Sequence, residues 1–204
     1  MGTVSRKEEN RLSLLNEGVR IMTVRGYHGT GVKELVDTVG IPKGSFYQYF
    51  VSKENFCAEA VDHYINPYIE SLQQHIDNKP GDALAALRNY FAEQTVAAAA
   101  NNFQGGCLLG NLLGEIGEAQ ATCHGSLRNA VERYCRQIQI AFELAQNENT
   151  VTQEITATEM SNTLFCAWQG ALLRMKVEQS VWPLESCLES LLNNSFYCRF
   201  VPES

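Results

Sequence analysis

The stretch from Gly40 to Phe50, Gly-Ile-Pro-Lys-Gly-Ser-Phe-Tyr-Gln-Tyr-Phe, constrains the fold of this chain more than any other part of it. Gly40 and Pro42 predict a tight turn, and the residues that follow predict a very short helix. Such a helix is not stable alone, because its nucleation costs more than its few hydrogen bonds return. It must therefore pack on a neighbour, and the segment 30–39 just before it is the obvious partner.

Two short helices joined by a tight turn that contains glycine are typical of a helix-turn-helix, whose second helix lies in the major groove of DNA. The charges agree with this interpretation. Residues 1–53 contain eight basic and five acidic residues, whereas the whole chain carries a net charge of −7, so the remainder carries −10. A basic end on an acidic body is expected where only that end meets phosphate. A chance excess of cations on a solvated face would give the same count.

Hydrophobic periodicity predicts helices along the rest of the N-terminal half. The first covers 6–25, and its buried stripe is predicted to contain Leu12, Leu15, Val19 and Met22, widened by Leu14 and Ile21. Thr30 is a candidate N-cap for the second helix. Ser52 is predicted to cap a long fourth helix, from about Lys53 to Ile76, which Pro67 should kink.

The C-terminal half shows the same pattern. Asp82 is predicted to cap a fifth helix, a sixth begins near Cys107, and 124–146 shows the strongest helical periodicity. Thr156 and Glu159 form a capping box for an eighth helix, and Pro183 opens a ninth, over 183–196. With no strand pattern in the sequence, the prediction is an all-α fold of about nine helices.

Several classes of protein are disfavoured. No apolar run approaches the roughly 18 residues needed to span a bilayer, and the N-terminus lacks a signal-peptide pattern, which predicts a cytoplasmic protein. The seven cysteines are scattered and form no Cys-x-x-Cys pair, so we expect reduced thiols, no metal site and no cofactor. No Walker loop, Gly-x-Ser-x-Gly or His-Glu-x-x-His pattern supports catalysis.

These residues together resemble the TetR family of bacterial transcriptional regulators. The resemblance is carried by Gly26-Tyr27, Thr30-Gly31-Val32, the Gly40–Phe50 stretch and Ser52-Lys53-Glu54. Beyond residue 55 it depends on helix number and on 106–111, Gly-Cys-Leu-Leu-Gly-Asn, which looks like a segment of a branch that responds to electrophiles.

The resemblance implies a helix-turn-helix DNA-binding domain at 1–53 and a ligand-binding and dimerisation domain at 54–204. The last two helices would pair with those of a second copy, and the apolar face of 183–196 suits that role. The same face would equally serve to close the core of a monomer.

The candidate DNA contacts follow from the resemblance together with side-chain chemistry. Lys43 can reach phosphate or guanine, Gln48 can bond adenine in a bidentate manner, and Gly44 lets the backbone approach the DNA closely. The full set is Thr30, Lys33, Lys43, Gly44, Ser45, Tyr47, Gln48, Tyr49 and Lys53. Phe46 and Phe50 are predicted to be core instead. A twofold dimer would then recognise a roughly palindromic operator in double-stranded DNA.

The sensor is less well defined by the sequence. Cys107 begins a helix, where free amides favour a thiolate, so modification by an electrophile is one hypothesis and Lys176 is a possible cationic partner. The alternative is that Cys107 is a small buried hydrophobe. A non-covalent pocket for a small-molecule inducer is the competing hypothesis. Its candidate residues are Tyr90, Phe91, Asn111, Tyr134, Phe165 and Trp168.

The sequence therefore leaves three functions open. The leading one is a DNA-binding repressor that an inducer or an electrophile releases from its operator. The second is a helical dimer that acts through protein partners and does not bind DNA. The third, a thiol-dependent enzyme, has no supporting motif.

Overall fold

The computed structural model describes residues 5–197, and within that range the all-α prediction is confirmed. The helices are α1 Arg6–Arg25, α2 Val32–Val39, α3 Lys43–Tyr49, α4 Lys53–Asp77, α5 Ala83–Ala100, α6 Leu108–Leu113, α7 Ala121–Asn147, α8 Ala157–Glu178 and α9 Trp182–Leu188. A short 3-10 helix, Glu118–Gln120, precedes α7, and a π-helix, Glu189–Ser195, follows α9. The predicted ninth helix therefore begins as expected but leaves α-helical geometry after Leu188.

The chain divides into two compact units. The first contains the residues up to Pro67 together with Gly105–Val131, and thus α1, α2, α3 and α6. The second contains Tyr68–Gln104 and the residues from Glu132 onward. The packing unit at the N-terminus is therefore larger than the DNA-binding domain predicted at 1–53, because α6 and the start of α7 pack with it.

Most predicted caps are present. The Asp82 carboxylate accepts a hydrogen bond from the Ala85 amide, and Ser52 Oγ accepts one from the Asn55 amide at 3.1 Å. Thr156 and Glu159 form the expected reciprocal pair. These caps satisfy amides that have no partner inside the helix, and each contributes about 1 kcal/mol.

Thr30 does not cap α2, so that prediction was wrong. The N-cap is Gly31, and the Thr30 hydroxyl is buried and donates a hydrogen bond to the Gly26 carbonyl at 2.7 Å. Thr30 therefore closes the corner between α1 and α2 and lies away from the surface.

The buried stripe of α1 also differs from the prediction. Leu14 and Leu15 are buried, whereas Leu12 is 49% exposed. The stripe is centred on Gly18, where an added Cβ would lie 2.2 Å from Cζ of Phe56. Glycine at this position lets α1 and α4 approach closely, and the helix face that surrounds it becomes the core.

Three aromatic rings hold the short α3. Phe46, Phe50 and Phe56 are almost fully buried, and their ring centroids lie 4.9 to 5.4 Å apart in each pair. The prediction that Phe46 and Phe50 belong to the core is confirmed. This cluster supplies the packing that so short a helix needs.

The second unit has its own core. The buried hydroxyls of Tyr90 and Tyr134 share a hydrogen bond of 2.9 Å, and the rings of Phe91 and Trp168 pack edge to face. Arg88 donates a hydrogen bond to the carbonyl of Leu192 in the π-helix. No helix among residues 5–197 is long and apolar enough to cross a membrane.

Candidate DNA-binding surface and sensor residues

The outward face of α3 is built by a turn and a buried ring. Gly40 ends α2 with a left-handed φ of 76°, and Pro42 is the N-cap of α3. Because Phe46 faces the core, Lys43, Tyr47 and Gln48 are exposed on the opposite side, with Tyr47 56% exposed. A cation, a phenol and an amide on one face can contact phosphates and base edges.

Gly44 lies in the middle of this face. It is exposed, its φ is outside the left-handed region, and a Cβ built there would have no protein atom within 4 Å. The fold itself therefore does not require glycine at this position. A requirement for glycine would come instead from something that approaches the outside of the helix closely.

Two further candidates lie beside α3. Lys33 on α2 is exposed and forms an ion pair with Asp37 at 3.4 Å, which at such exposure contributes little to stability. Ser45 is half-buried, and its amide already donates to the Pro42 carbonyl at 2.8 Å. The first turn of α3 therefore already uses the Ser45 amide.

Tyr49 and Lys53 are turned toward the protein. The Tyr49 hydroxyl accepts a hydrogen bond from Asn10 on α1. The Lys53 ammonium donates to the Tyr27 carbonyl at 2.6 Å and lies 4.3 Å from the centre of the Tyr27 ring. Burial lowers the pKa of Lys53 from its ordinary value. Lys53 was one of the predicted DNA contacts, but in this structure it stabilises the corner after α1.

Glu54 completes this inward-facing group. One of its carboxylate oxygens accepts hydrogen bonds from the amides of Thr122, at 2.6 Å, and Cys123, at 3.3 Å. These amides lie in the first turn of α7, where a carboxylate is favoured by free N–H groups and by the helix dipole. The sequence Ser52-Lys53-Glu54 thus caps α4, holds the α1–α2 corner and caps α7.

The predicted sensor residues are divided between the two units. Cys107 and Asn111 belong to the first, where Cys107 is the half-buried N-cap of α6 and follows two glycines of positive φ, Gly105 and Gly106. The others belong to the second unit: Tyr90, Phe91, Tyr134, Phe165 and Trp168, all buried, and half-buried Lys176.

The remaining cysteines are mostly packing residues. Cys57, Cys123 and Cys135 are buried, and burial raises the pKa of Cys135 to about 11. Cys166, in contrast, is exposed on α8. Cys198 lies outside the described residues. Within them, His, Cys, Asp and Glu form no cluster that could hold a metal ion.

Comparison with known proteins identifies the family. Residues 14–60 match the model described as "Bacterial regulatory proteins, tetR family", and residues 83–191 match "Tetracyclin repressor-like, C-terminal domain". The second match alone covers more than half of the chain. The chain belongs to the TetR family.

Individual relatives agree with that assignment. The transcriptional regulator AcuR of Cereibacter sphaeroides is 30% identical, over 85% of this chain and 80% of that protein. The transcriptional repressor DhaR of Mycobacterium sp. strain GP1 is 27% identical, over 87% of this chain and 88% of that protein. The crystal structure of reduced NemR from Escherichia coli superposes with a TM-score of 0.81 at 26% identity, covering 95% of this chain and all of that one.

TetR-family membership decides between the three functions left open by the sequence. The chain is a helix-turn-helix transcriptional regulator and not an enzyme, and nothing in the comparisons supports a partner-binding dimer that ignores DNA. TetR-family regulators are typically dimers that respond to small molecules.

Two residues have well-defined contacts that no sequence pattern predicted. Glu54 was part of a recognised motif but had no predicted partner, and Glu115 was not singled out at all. The Glu115 carboxylate accepts a hydrogen bond from the His28 amide, 87 positions away in sequence. No local pattern could have revealed that contact, because it depends on how α6 packs in the first unit.

Proposed function

We propose that this TetR-family regulator binds a roughly palindromic operator as a homodimer, with α3 of each copy in a major groove. The observation that carries the proposal is the composition of α3. Phe46 is fully buried on one side, while Lys43, Tyr47 and Gln48 are exposed on the other around Gly44. The fold itself does not require glycine at position 44. Glycine at the centre of a basic and polar face is consistent with a close approach of the helix backbone to DNA.

Roles for the single side chains follow from their chemistry. Gln48 is placed to bond an adenine edge, Lys43 to contact guanine or phosphate, and Tyr47 to contact phosphate. Lys33 adds a cation on the same domain. Thr30, Tyr49 and Lys53 are excluded from the direct contacts, because the first is buried and the other two bond protein atoms.

Dimerisation through α8 and α9 is supported by apolar side chains that the subunit leaves uncovered. Leu173 and Val177 on α8 and Trp182 on α9 are 54%, 86% and 55% exposed. Gly170 is exposed one turn before Leu173 on the same helix. Exposed apolar side chains of this kind are typical of a surface that a second subunit covers.

The predicted face of 183–196 has a divided role. Leu184 and Leu192 are fully buried within the subunit, so part of that face closes the monomer core as the alternative held. The part left for a second copy comes mainly from α8 and from Trp182.

For release from DNA we propose a trigger at α6, by modification of Cys107. Cys107 is half-buried rather than enclosed, and the α6 segment belongs to the same compact unit as α1, α2 and α3. A non-covalent inducer bound among the aromatic residues of the second unit is the competing trigger. Treatment with N-ethylmaleimide separates the two, since Cys107→Ser should abolish release while Cys166→Ser, at an exposed thiol, should not.

DNA binding is tested with a labelled duplex that carries the sequence upstream of the regulator's own gene. Binding should weaken steeply as salt is raised, because phosphate contacts release counterions. Gln48→Ala should cost about 1–3 kcal/mol on this duplex and little on unrelated DNA. Gln74→Ala, at an exposed glutamine of α4, is the matched control. Salt-independent binding, or no difference between the two variants, would refute the proposal.

A further inference from the structure

The segment that follows Cys107 is attached to the helix-turn-helix region by two side chains, Asn111 and Glu115, which we call the α6 latch. Both contacts lie inside the first compact unit. Neither residue belongs to the aromatic cluster that holds α3.

Asn111 caps the C-terminal end of α1. Its amide nitrogen donates to the Thr23 carbonyl at 2.5 Å and to the Gly105 carbonyl at 3.2 Å. Thr23 lies in the last turn of α1, where carbonyls have no partner within the helix. The same amide group therefore joins the end of α1 to the turn directly before Cys107.

Glu115 holds the corner that leads from α1 to α2. One carboxylate oxygen accepts from the His28 amide at 3.2 Å, and the other lies 1.6 Å from where a Cβ at Gly26 would be. Gly26 also has a left-handed φ of 71°, so two requirements select glycine there. The Glu115 carboxylate occupies the space that a side chain at position 26 would need.

Two further hydrogen bonds hold the backbone of this corner. The Gly26 carbonyl accepts from the Thr30 hydroxyl, and the Tyr27 carbonyl accepts from Lys53. Glu115 supplies the partner for the next residue, His28, and its charge also interacts with Lys53. Since α2 begins at Val32, only a few residues later, the position of the corner sets the direction of α2 and hence of α3.

We propose that Asn111 and Glu115 are positioning residues for operator binding, through which α6 sets the orientation of the helix-turn-helix. This inference rests on the proposed function for its DNA ligand and extends it by naming the contacts that connect α6 to the DNA-binding face.

Two substitutions break the latch. Glu115→Ala removes the acceptor for the His28 amide, and Asn111→Asp replaces two donors with oxygens that repel the carbonyls of Thr23 and Gly105. Each should weaken binding to the upstream duplex about tenfold, within the usual range of coupling between sites. Binding to unrelated DNA, which depends on charge rather than alignment, should be unchanged.

Two other variants act as controls. Glu115→Gln keeps an oxygen that can accept from His28 and should bind within about twofold of the wild type. Glu118→Ala removes an exposed carboxylate close by in the chain and should likewise change affinity by less than about twofold. Circular dichroism melts establish that each variant is folded, and either latch variant that folds is sufficient to decide.

The outcomes separate this inference from the proposed function. A wild type without preference for the upstream duplex would overturn the proposed function, and the latch with it. If the wild type prefers the upstream duplex and folded Glu115→Ala or Asn111→Asp shows the same preference, the latch alone is overturned. Equal loss of binding to both duplexes would also overturn it, because that result indicates general damage rather than misalignment.

Discussion

The face of α3 and the start of α4 are separated by only a few residues, yet their polar side chains have opposite orientations. On α3, Lys43, Tyr47 and Gln48 are exposed. At the start of α4, Lys53 and Glu54 bond backbone groups of the protein itself. The difference shows that one sequence motif combines exposed polar side chains with polar side chains that stabilise the domain.

The physical reason is the supply of unsatisfied backbone groups. The corner after α1 leaves the Tyr27 carbonyl without a helical partner, and the start of α7 leaves free amides at Thr122 and Cys123. Lys53 and Glu54 are the nearby charges that satisfy them. On the outward side of α3, Lys43, Tyr47 and Gln48 are exposed and remain available for a ligand.

The largest expected effect contrasts the two sides of α3. Phe46→Ala should lower the free energy of unfolding by about 3–5 kcal/mol, because it empties the centre of the aromatic cluster. Tyr47→Ala, at the adjacent exposed position, should change it by less than about 0.5 kcal/mol. Urea denaturation measures both. Similar losses in the two variants would mean that α3 has no distinct outer face.

A smaller effect compares the lysines of the two regions. Lys43→Ala should lower the slope of log affinity against log salt by about 0.9, the value of one phosphate contact. Lys53→Ala should leave this slope unchanged but reduce stability by about 1.5–3 kcal/mol, since a charged hydrogen bond to Tyr27 is lost. Binding isotherms at several salt concentrations, together with thermal melts, give both quantities. An equal change of slope for Lys53→Ala would place that lysine on the DNA.

The smallest effect concerns Cys57, which is buried on α4 one turn after Glu54. This effect on stability is expected only at alkaline pH. A contact with the Cys123 thiol, and after it burial, raises the pKa of Cys57 above its ordinary value of 9.0. Because the folded-state pKa is the higher one, the stabilisation is complete below about pH 9 and is lost as the pH rises further, by up to about 1.4 kcal/mol per unit.

Cys57→Ala should therefore flatten the alkaline limb of the stability curve, as measured by urea denaturation between neutral and alkaline pH. Cys166→Ala, at an exposed thiol, is the matched control and should leave the limb as it is. An unchanged alkaline slope in Cys57→Ala would show that this thiol does not titrate with unfolding.

Much of the first unit was predictable from the sequence. The turn at Gly40 and Pro42, the burial of Phe46 and Phe50, and the exposure of Lys43 and Gln48 all follow from local turn chemistry and helical spacing. Such features depend on neighbours a few positions away, which a sequence displays directly.

The errors arose where the deciding partner is distant. Lys53 donates a hydrogen bond to a carbonyl 26 positions earlier. Leu12 is exposed because the buried face of α1 is centred on Gly18, which leaves room for the Phe56 ring of another helix. Glu115 lies 87 positions from His28, whose amide donates a hydrogen bond to the Glu115 carboxylate. Helical periodicity locates a buried face only to within a residue or two, and it contains no information on which distant group fills a gap.

The glycine at position 18 also has a genetic consequence. Selection for mutants that express the regulated gene constitutively should recover changes on the exposed face of α3, but also changes at Gly18, where even alanine would meet the Phe56 ring. Alleles of the second kind would damage folding rather than recognition. They should therefore be temperature-sensitive and regain repression in cold-grown cells, whereas alleles on α3 should stay derepressed at every growth temperature.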